Sequence, residues 1–71
     1  MSEFFGRILK YHERGWAFIK REDGQPDVFL HANEMQAAGI SADTGVLNVR
    51  VSFRIRQRAD GKPYAVDVEV L

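Results

Sequence analysis

Apolar and polar residues alternate most cleanly where Val49, Val51, Phe53 and Ile55 are interleaved with Arg50, Ser52, Arg54 and Arg56. A period of two marks a strand with one buried face, so those four apolar residues are expected in a core. Val66, Val68 and Val70 repeat the pattern against Asp67 and Glu69, after a turn at "ADGKP". Nearer the N-terminus, Phe4 to Tyr11 is rich in aromatic and branched residues and predicts a first strand. Trp16 to Arg21 predicts a second, which ends at "REDGQPD", where Asp23-Gly24 and Pro26 signal a turn. Val28 to His31 predicts a short third strand. The following "ANEMQAAGISADTG", residues 32 to 45, has no β pattern and reads as a long connection with room for one helical turn. Three strands, a long connection and two more strands predict an all-β, five-stranded antiparallel barrel, one domain over residues 1–71. Closure removes exposed strand edges, which suits a chain near the lower size limit for a single core.

The same parity separates two faces in the second and third strands. Trp16, Phe18 and Lys20 share one face, and Ala17, Ile19 and Arg21 the other. Phe29 and His31 lie opposite Val28 and Leu30. A core that gathers Ile19, Val28 and Leu30, with Ala17 in a tight position, turns Trp16, Phe18, Phe29 and His31 outward on adjacent strands. The inverse, with Trp16 and Phe18 inside and Ile19 in water, is open but disfavoured by the pairing of Val28 with Leu30. An exposed aromatic platform leaves apolar area in water and needs a reason. Nucleobases supply one, because their π-faces stack on such rings at about 1–3 kcal/mol per base. Only unpaired strands offer those faces, and Arg14 and Lys20 could hold the phosphates between them.

Composition narrows the choice without making it. Ten Lys and Arg balance ten Asp and Glu, which argues against a polycation that coats duplex DNA through phosphates alone. The absence of cysteine excludes disulfides and thiolate metal sites, and two histidines are too few for a structural zinc site. No apolar run approaches the roughly 18 residues of a membrane span, and "MSEFFGRILK" is no signal peptide. A cytoplasmic domain with no membrane partner, metal or cofactor is expected.

At these residues the chain resembles the cold-shock domain family. "GRILKY" is similar to that family's first strand, "RGWAFI" to its first ribonucleoprotein motif Lys-Gly-Phe-Gly-Phe-Ile, and "DVFLH" to its second, Val-Phe-Val-His-Phe. "GKPYAVDV" resembles the family's last turn and strand, with Pro63, Ala65 and Val68 on its usual positions. The resemblance implies an OB-type barrel that binds single-stranded RNA or DNA without catalysis. Carried over residue by residue, the stacking positions fall on Trp16, Phe18, Phe29 and His31, with Arg14 as the basic residue and Tyr11 ending the first strand. The departures bear on affinity. Lys10 stands at the family's first-strand tryptophan, Leu9 at the preceding lysine, and Ala32 at the aromatic after the histidine. One residue fewer separates the first strand from Gly15, and the long connection holds no aromatic. With three stacking positions gone, weaker or shorter-footprint binding is expected, and Tyr64, beside Pro63, is a candidate to restore one contact. The candidate nucleic-acid site is therefore Lys10, Tyr11, Arg14, Trp16, Phe18, Lys20, Phe29, His31 and Tyr64.

The remaining features read more simply as structure. Arg50, Arg54, Arg56 and Arg58 form a basic run, and pairing of Arg50 and Arg54 with Asp67 and Glu69 across strands explains two of them without a second surface. No nucleophile, acid–base pair or phosphate loop points to catalysis. The leading expectation is a single-strand binder of the RNA-chaperone kind, and the competing one is a protein-interaction module within a longer chain. A monomer is expected, with strand exchange through the long connection as the route to a dimer.

Overall fold

Strand β1 (Phe4–His12) pairs antiparallel with both β2 (Trp16–Arg21) and β4 (Arg50–Gln57), and these pairings anchor one side of a barrel. This architecture comes from a computed structural model that describes residues 3–12, 15–40 and 48–71. β2 continues antiparallel into β3 (Val28–His31), and β4 into β5 (Pro63–Val70). The seam is closed by a parallel pairing of β3 with β5 through Phe29 and Tyr64, giving the order β1-β2-β3-β5-β4. The expected five-stranded barrel is thus the fold, with β3 and β5 as its one parallel neighbour pair.

The core is the inward face that parity predicts. Ile8, Ala17, Ile19, Val28, Leu30, Val51, Phe53 and Ala65 are fully buried, and Val66 and Val68 nearly so. Close packing of the backbone is forced at Gly6. A Cβ there would overlap the Lys20 carbonyl oxygen and lie 2.6 Å from Ile19 Cγ2, so only glycine lets β1 approach β2.

Strict alternation breaks at two bulges. Between Ile8 and Lys10 the register with β2 slips by one, at the exposed Leu9. Between Ser52 and Arg54 the partner strand spends one residue more, and Asp67 takes the left-handed conformation at φ 51°. The expected pattern for β4 is corrected here. Ser52 is buried in spite of its polar side chain, whereas Val49 and Ile55 are only half-buried against the core. In β5, Val70 is exposed at the barrel's end. Among the described residues no buried side-chain nitrogen or oxygen lacks a hydrogen-bond partner, so the burial of Ser52 is compensated.

The expected helical turn in the long connection is α1 (Ala32–Ala37). Its end is a Schellman closure: the Ile40 N–H donates to the Met35 carbonyl at 2.9 Å and the Gly39 N–H to the Gln36 carbonyl at 3.0 Å. Gly39 supplies the positive φ of 74° that the closure needs. Met35 is buried in the core, and Ile40 packs against it, so this short helix is held by tertiary contact and caps rather than propensity.

Candidate nucleic-acid interface

The β2–β3 register assembles the aromatic cluster directly. Trp16 lies opposite His31 and Phe18 opposite Phe29, while the inward partners Ala17–Leu30 and Ile19–Val28 are buried to the last square ångström. Trp16, Phe18 and Phe29 are half-buried and His31 is exposed. Their rings form a continuous surface. Trp16 meets Phe18 edge-on at 5.5 Å, Phe29 meets Phe18 edge-on at 6.0 Å, and Trp16 and Phe29 lie 6.0 Å apart at a 32° tilt. His31 follows at 6.2 Å from Phe29. Edge-to-face packing of this kind stiffens the cluster while leaving ring faces towards solvent.

His31 has a second task. Its Nδ1 accepts the Asn33 N–H at 3.1 Å and so caps the N-terminus of α1. That bond orients the imidazole and puts its proton on Nε2, the atom turned away from the cap.

Two side chains outside the expected set border this surface. His12, paired across strands with Trp16, lies flat on the indole at 4.5 Å and 6°. Arg58, just beyond β4, holds its guanidinium 5.2 Å over the Phe29 ring. With Phe29, His31 and Tyr64, Arg58 lines an open groove of about 300 Å³. Neither was legible from strand parity, because both lie where turns decide position; an alternating arginine run gave no sign that its last member crosses the parallel seam.

The expected residues divide as follows. Trp16, Phe18, Phe29 and His31 come together, with Tyr64 brought beside Phe29 by the seam. Lys20 is exposed further along β2, opposite Arg7. The backbones of Lys10 and Tyr11 run in β1 opposite Phe18 and Ala17, but their side chains and all of Arg14 lie outside the described residues.

Two charged pairs sit at the other end of the barrel, whereas Arg58 pairs with Asp60 at 3.7 Å beside the groove. Arg50 donates to Glu22 at 2.7 and 3.1 Å, and Arg21 donates to Asp23. This corrects the expected partner of Arg50: Glu69 lies opposite Ser52, and Glu22 reaches Arg50 from the β2–β3 turn. Arg54 keeps Asp67, at 4.0 Å. The Arg50 hydrogen bond holds the Glu22 carboxyl below its ordinary value, and the Arg21 hydrogen bond does the same for Asp23. These guanidinium groups also cover aromatic rings, Arg21 over Phe4 at 4.6 Å and Arg50 over Phe5 at 5.2 Å. Among the described residues no group of three or more His, Asp or Glu side chains could hold a metal, and no helix is long and apolar enough to cross a membrane.

A barrel with this strand order, carrying an aromatic surface on β2 and β3, can be set beside known proteins. The sequence profile of the 'Cold-shock' DNA-binding domain matches residues 6–71. The chain belongs to the cold-shock domain family. It is 38% identical to cold shock-like protein CspE of Escherichia coli (strain K12), with all of both chains covered. It is 39% identical to probable cold shock protein A of Mycolicibacterium smegmatis, over 83% of this chain and 84% of that one. A cold shock protein of Arthrobacter globiformis is 41% identical over the same shares. Membership of the cold-shock domain family carries nucleic-acid binding in general.

Proposed function

We propose that this cold-shock domain binds single-stranded RNA or DNA by stacking unpaired bases on Trp16, Phe18, Phe29 and His31, and acts on RNA as a chaperone. The observation that carries the reading is the cross-strand quartet of rings on the outer face, backed by an inner face that is wholly buried. Folding alone does not require that quartet, since β2 and β3 already supply the core from their opposite face through Ala17, Ile19, Val28 and Leu30. Stacking is tolerant of sequence and contributes about 1–3 kcal/mol per base. The groove at Phe29, His31, Arg58 and Tyr64 extends the surface by one base-sized recess, with Arg58 and Lys20 offering positive charge to phosphates. Holding bases unpaired shifts the folding equilibrium of RNA by mass action, with no cofactor and no hydrolysis.

The test uses the chain's single tryptophan. Titration with a pyrimidine-rich single-stranded hexamer should quench Trp16 fluorescence with modest affinity, whereas a duplex of the same sequence should bind hardly at all. Equal affinity for both forms would sink the stacking mechanism. Absence of any response to RNA or DNA at low salt would favour the platform as a protein-docking surface.

A further inference from the structure

Resting on that stacking reading, we propose that the bound single strand continues past Phe29 across the parallel seam and delivers one phosphate to Arg56 on β4. The strand registers supply the path. Phe18 lies opposite Phe29, Phe29 beside Tyr64 across the seam, and Tyr64 opposite Arg56. These four residues form one row over β2, β3, β5 and β4. The row lies on the outer face throughout. Its inward neighbours Ala17, Ile19, Val28, Leu30 and Ala65 are fully buried, and Ile55, paired with Ala65, packs against the core. Tyr64 and Arg56, directly opposed in the ladder, project to the same side with Cβ atoms about 5 Å apart.

Charge singles out Arg56 within the arginine run. Arg50 is bound to Glu22 at 2.7 Å, Arg54 reaches Asp67 at 4.0 Å, and Arg58 reaches Asp60 at 3.7 Å. Arg56 is exposed and forms no ion pair among the described residues. By parity Arg54 shares its face, and Arg58, two residues further on, lines the groove with Tyr64. Residues two apart on a strand are about 6.6 Å apart, so the three arginines build a positive potential that an anion relieves. A strand whose bases lie on Phe18, Phe29 and Tyr64 follows the row and meets Arg56 where the rings end. The ligand is a backbone phosphodiester, whose oxygens match the donor fork of a guanidinium. Such a contact adds affinity and fixes the strand's path without reading its sequence.

Arg56→Gln, Arg56→Lys and the unaltered protein should be titrated with oligothymidylates of increasing length, with melting temperature measured for each protein. The shortest strands that quench Trp16 should bind all three alike, because they cover only the rings. Strands long enough to reach β4 should bind Arg56→Gln more weakly. That deficit should shrink about 2.5-fold between about 50 and 200 mM salt, as the loss of one phosphate contact requires. Arg56→Lys should regain most of the loss, since it keeps the charge, and the three melting temperatures should agree. Equal binding by Arg56→Gln and the unaltered protein at every length and salt overturns the proposal, because the strand then stops short of β4. A deficit of one size for all lengths overturns it too, by pointing to a general field rather than a contact, and so does a deficit that salt leaves unchanged. The platform reading fails separately, if the unaltered protein binds no single strand at all.

Discussion

Trp16 and Ile19 lie on opposite faces of one strand, and they separate binding from folding more cleanly than any other pair. Ile19 is fully buried among core residues, so Ile19→Ala should cost the fold about 2–5 kcal/mol and leave the folded fraction able to bind. Trp16→Ala should remove about 1–3 kcal/mol of single-strand binding. Since the indole is only half-buried, its fold cost should fall short of the roughly 3–5 kcal/mol of a buried aromatic. Thermal melts and oligonucleotide titrations of the two variants decide the matter; the inverse pattern would mean that the stacking site lies elsewhere. Gly6→Ala is a further check on packing. Its Cβ would press on the Lys20 backbone, which cannot swing aside, so a loss of about 1–3 kcal/mol is expected in denaturant unfolding. At this scale the platform rings were legible because parity left two faces to choose between and the pairing of Val28 with Leu30 favoured one of them. His12 and Arg58 were not, because each owes its place to a neighbouring turn and to a register that spacing along the chain does not encode.

The elements depart from ideal strands where the barrel has to bend. Both bulges insert a residue, and such insertions increase local twist and let short strands close on themselves. Asp67 is the clearest case, since it adopts φ 51° and only glycine, asparagine and aspartate do so readily. Asp67→Gly should therefore keep or slightly raise stability, because the ion pair with Arg54 that it loses is exposed and 4.0 Å long. Asp67→Val should lose about 1–2 kcal/mol, as a β-branched side chain is forced into the left-handed region. Equal unfolding midpoints for the two variants would show that β5 can be rebuilt without the bulge. The simple alternation of Val66, Val68 and Val70 concealed this feature, since an inserted residue shifts which side chains point inward. The helix was more legible. "MQAAGI" carries both the glycine of the Schellman closure and the apolar pair, Met35 and Ile40, that the closure brings together.

Over the whole molecule, ten positive and ten negative side chains cancel, so partner choice depends on how the charges are distributed. Arg21 and Arg50 are committed to Asp23 and Glu22 at the end of the barrel away from Trp16. Glu22 and Asp23 titrate below the ordinary carboxylate range because of those hydrogen bonds, and Asp60 does so chiefly because it accepts the Lys62 N–H. Carboxyls lowered in this way add stability that is present above their unfolded values, near pH 4, and is lost as pH falls through the folded ones. Glu22→Gln should flatten that acid limb and leave stacking at Trp16 untouched. Six residue steps along and just past β2 separate Glu22 from Trp16, roughly 20 Å at about 3.3 Å per residue. That exceeds the screening length of about 10 Å at 0.1 M salt. Arg58 lies over Phe29 at the edge of the groove, where its exposed pair with Asp60 at 3.7 Å leaves it within reach of a phosphate. For single strands, log K falls with log salt by about 0.7 per phosphate neutralised, so a platform that binds mainly by stacking should give a shallow slope. Arg58→Ala should weaken binding at low salt and make the slope shallower by about 0.7, so that its affinity approaches that of the unaltered protein as salt rises. Glu22→Gln should run parallel to the unaltered protein throughout. If Arg58→Ala lowers affinity equally at every salt concentration, the guanidinium acts by stacking over Phe29 or by shaping the groove. If Glu22→Gln changes the slope as much as Arg58→Ala does, the strand passes over the end of the barrel that carries Arg50, and the path assigned to it along β2 and β3 is wrong.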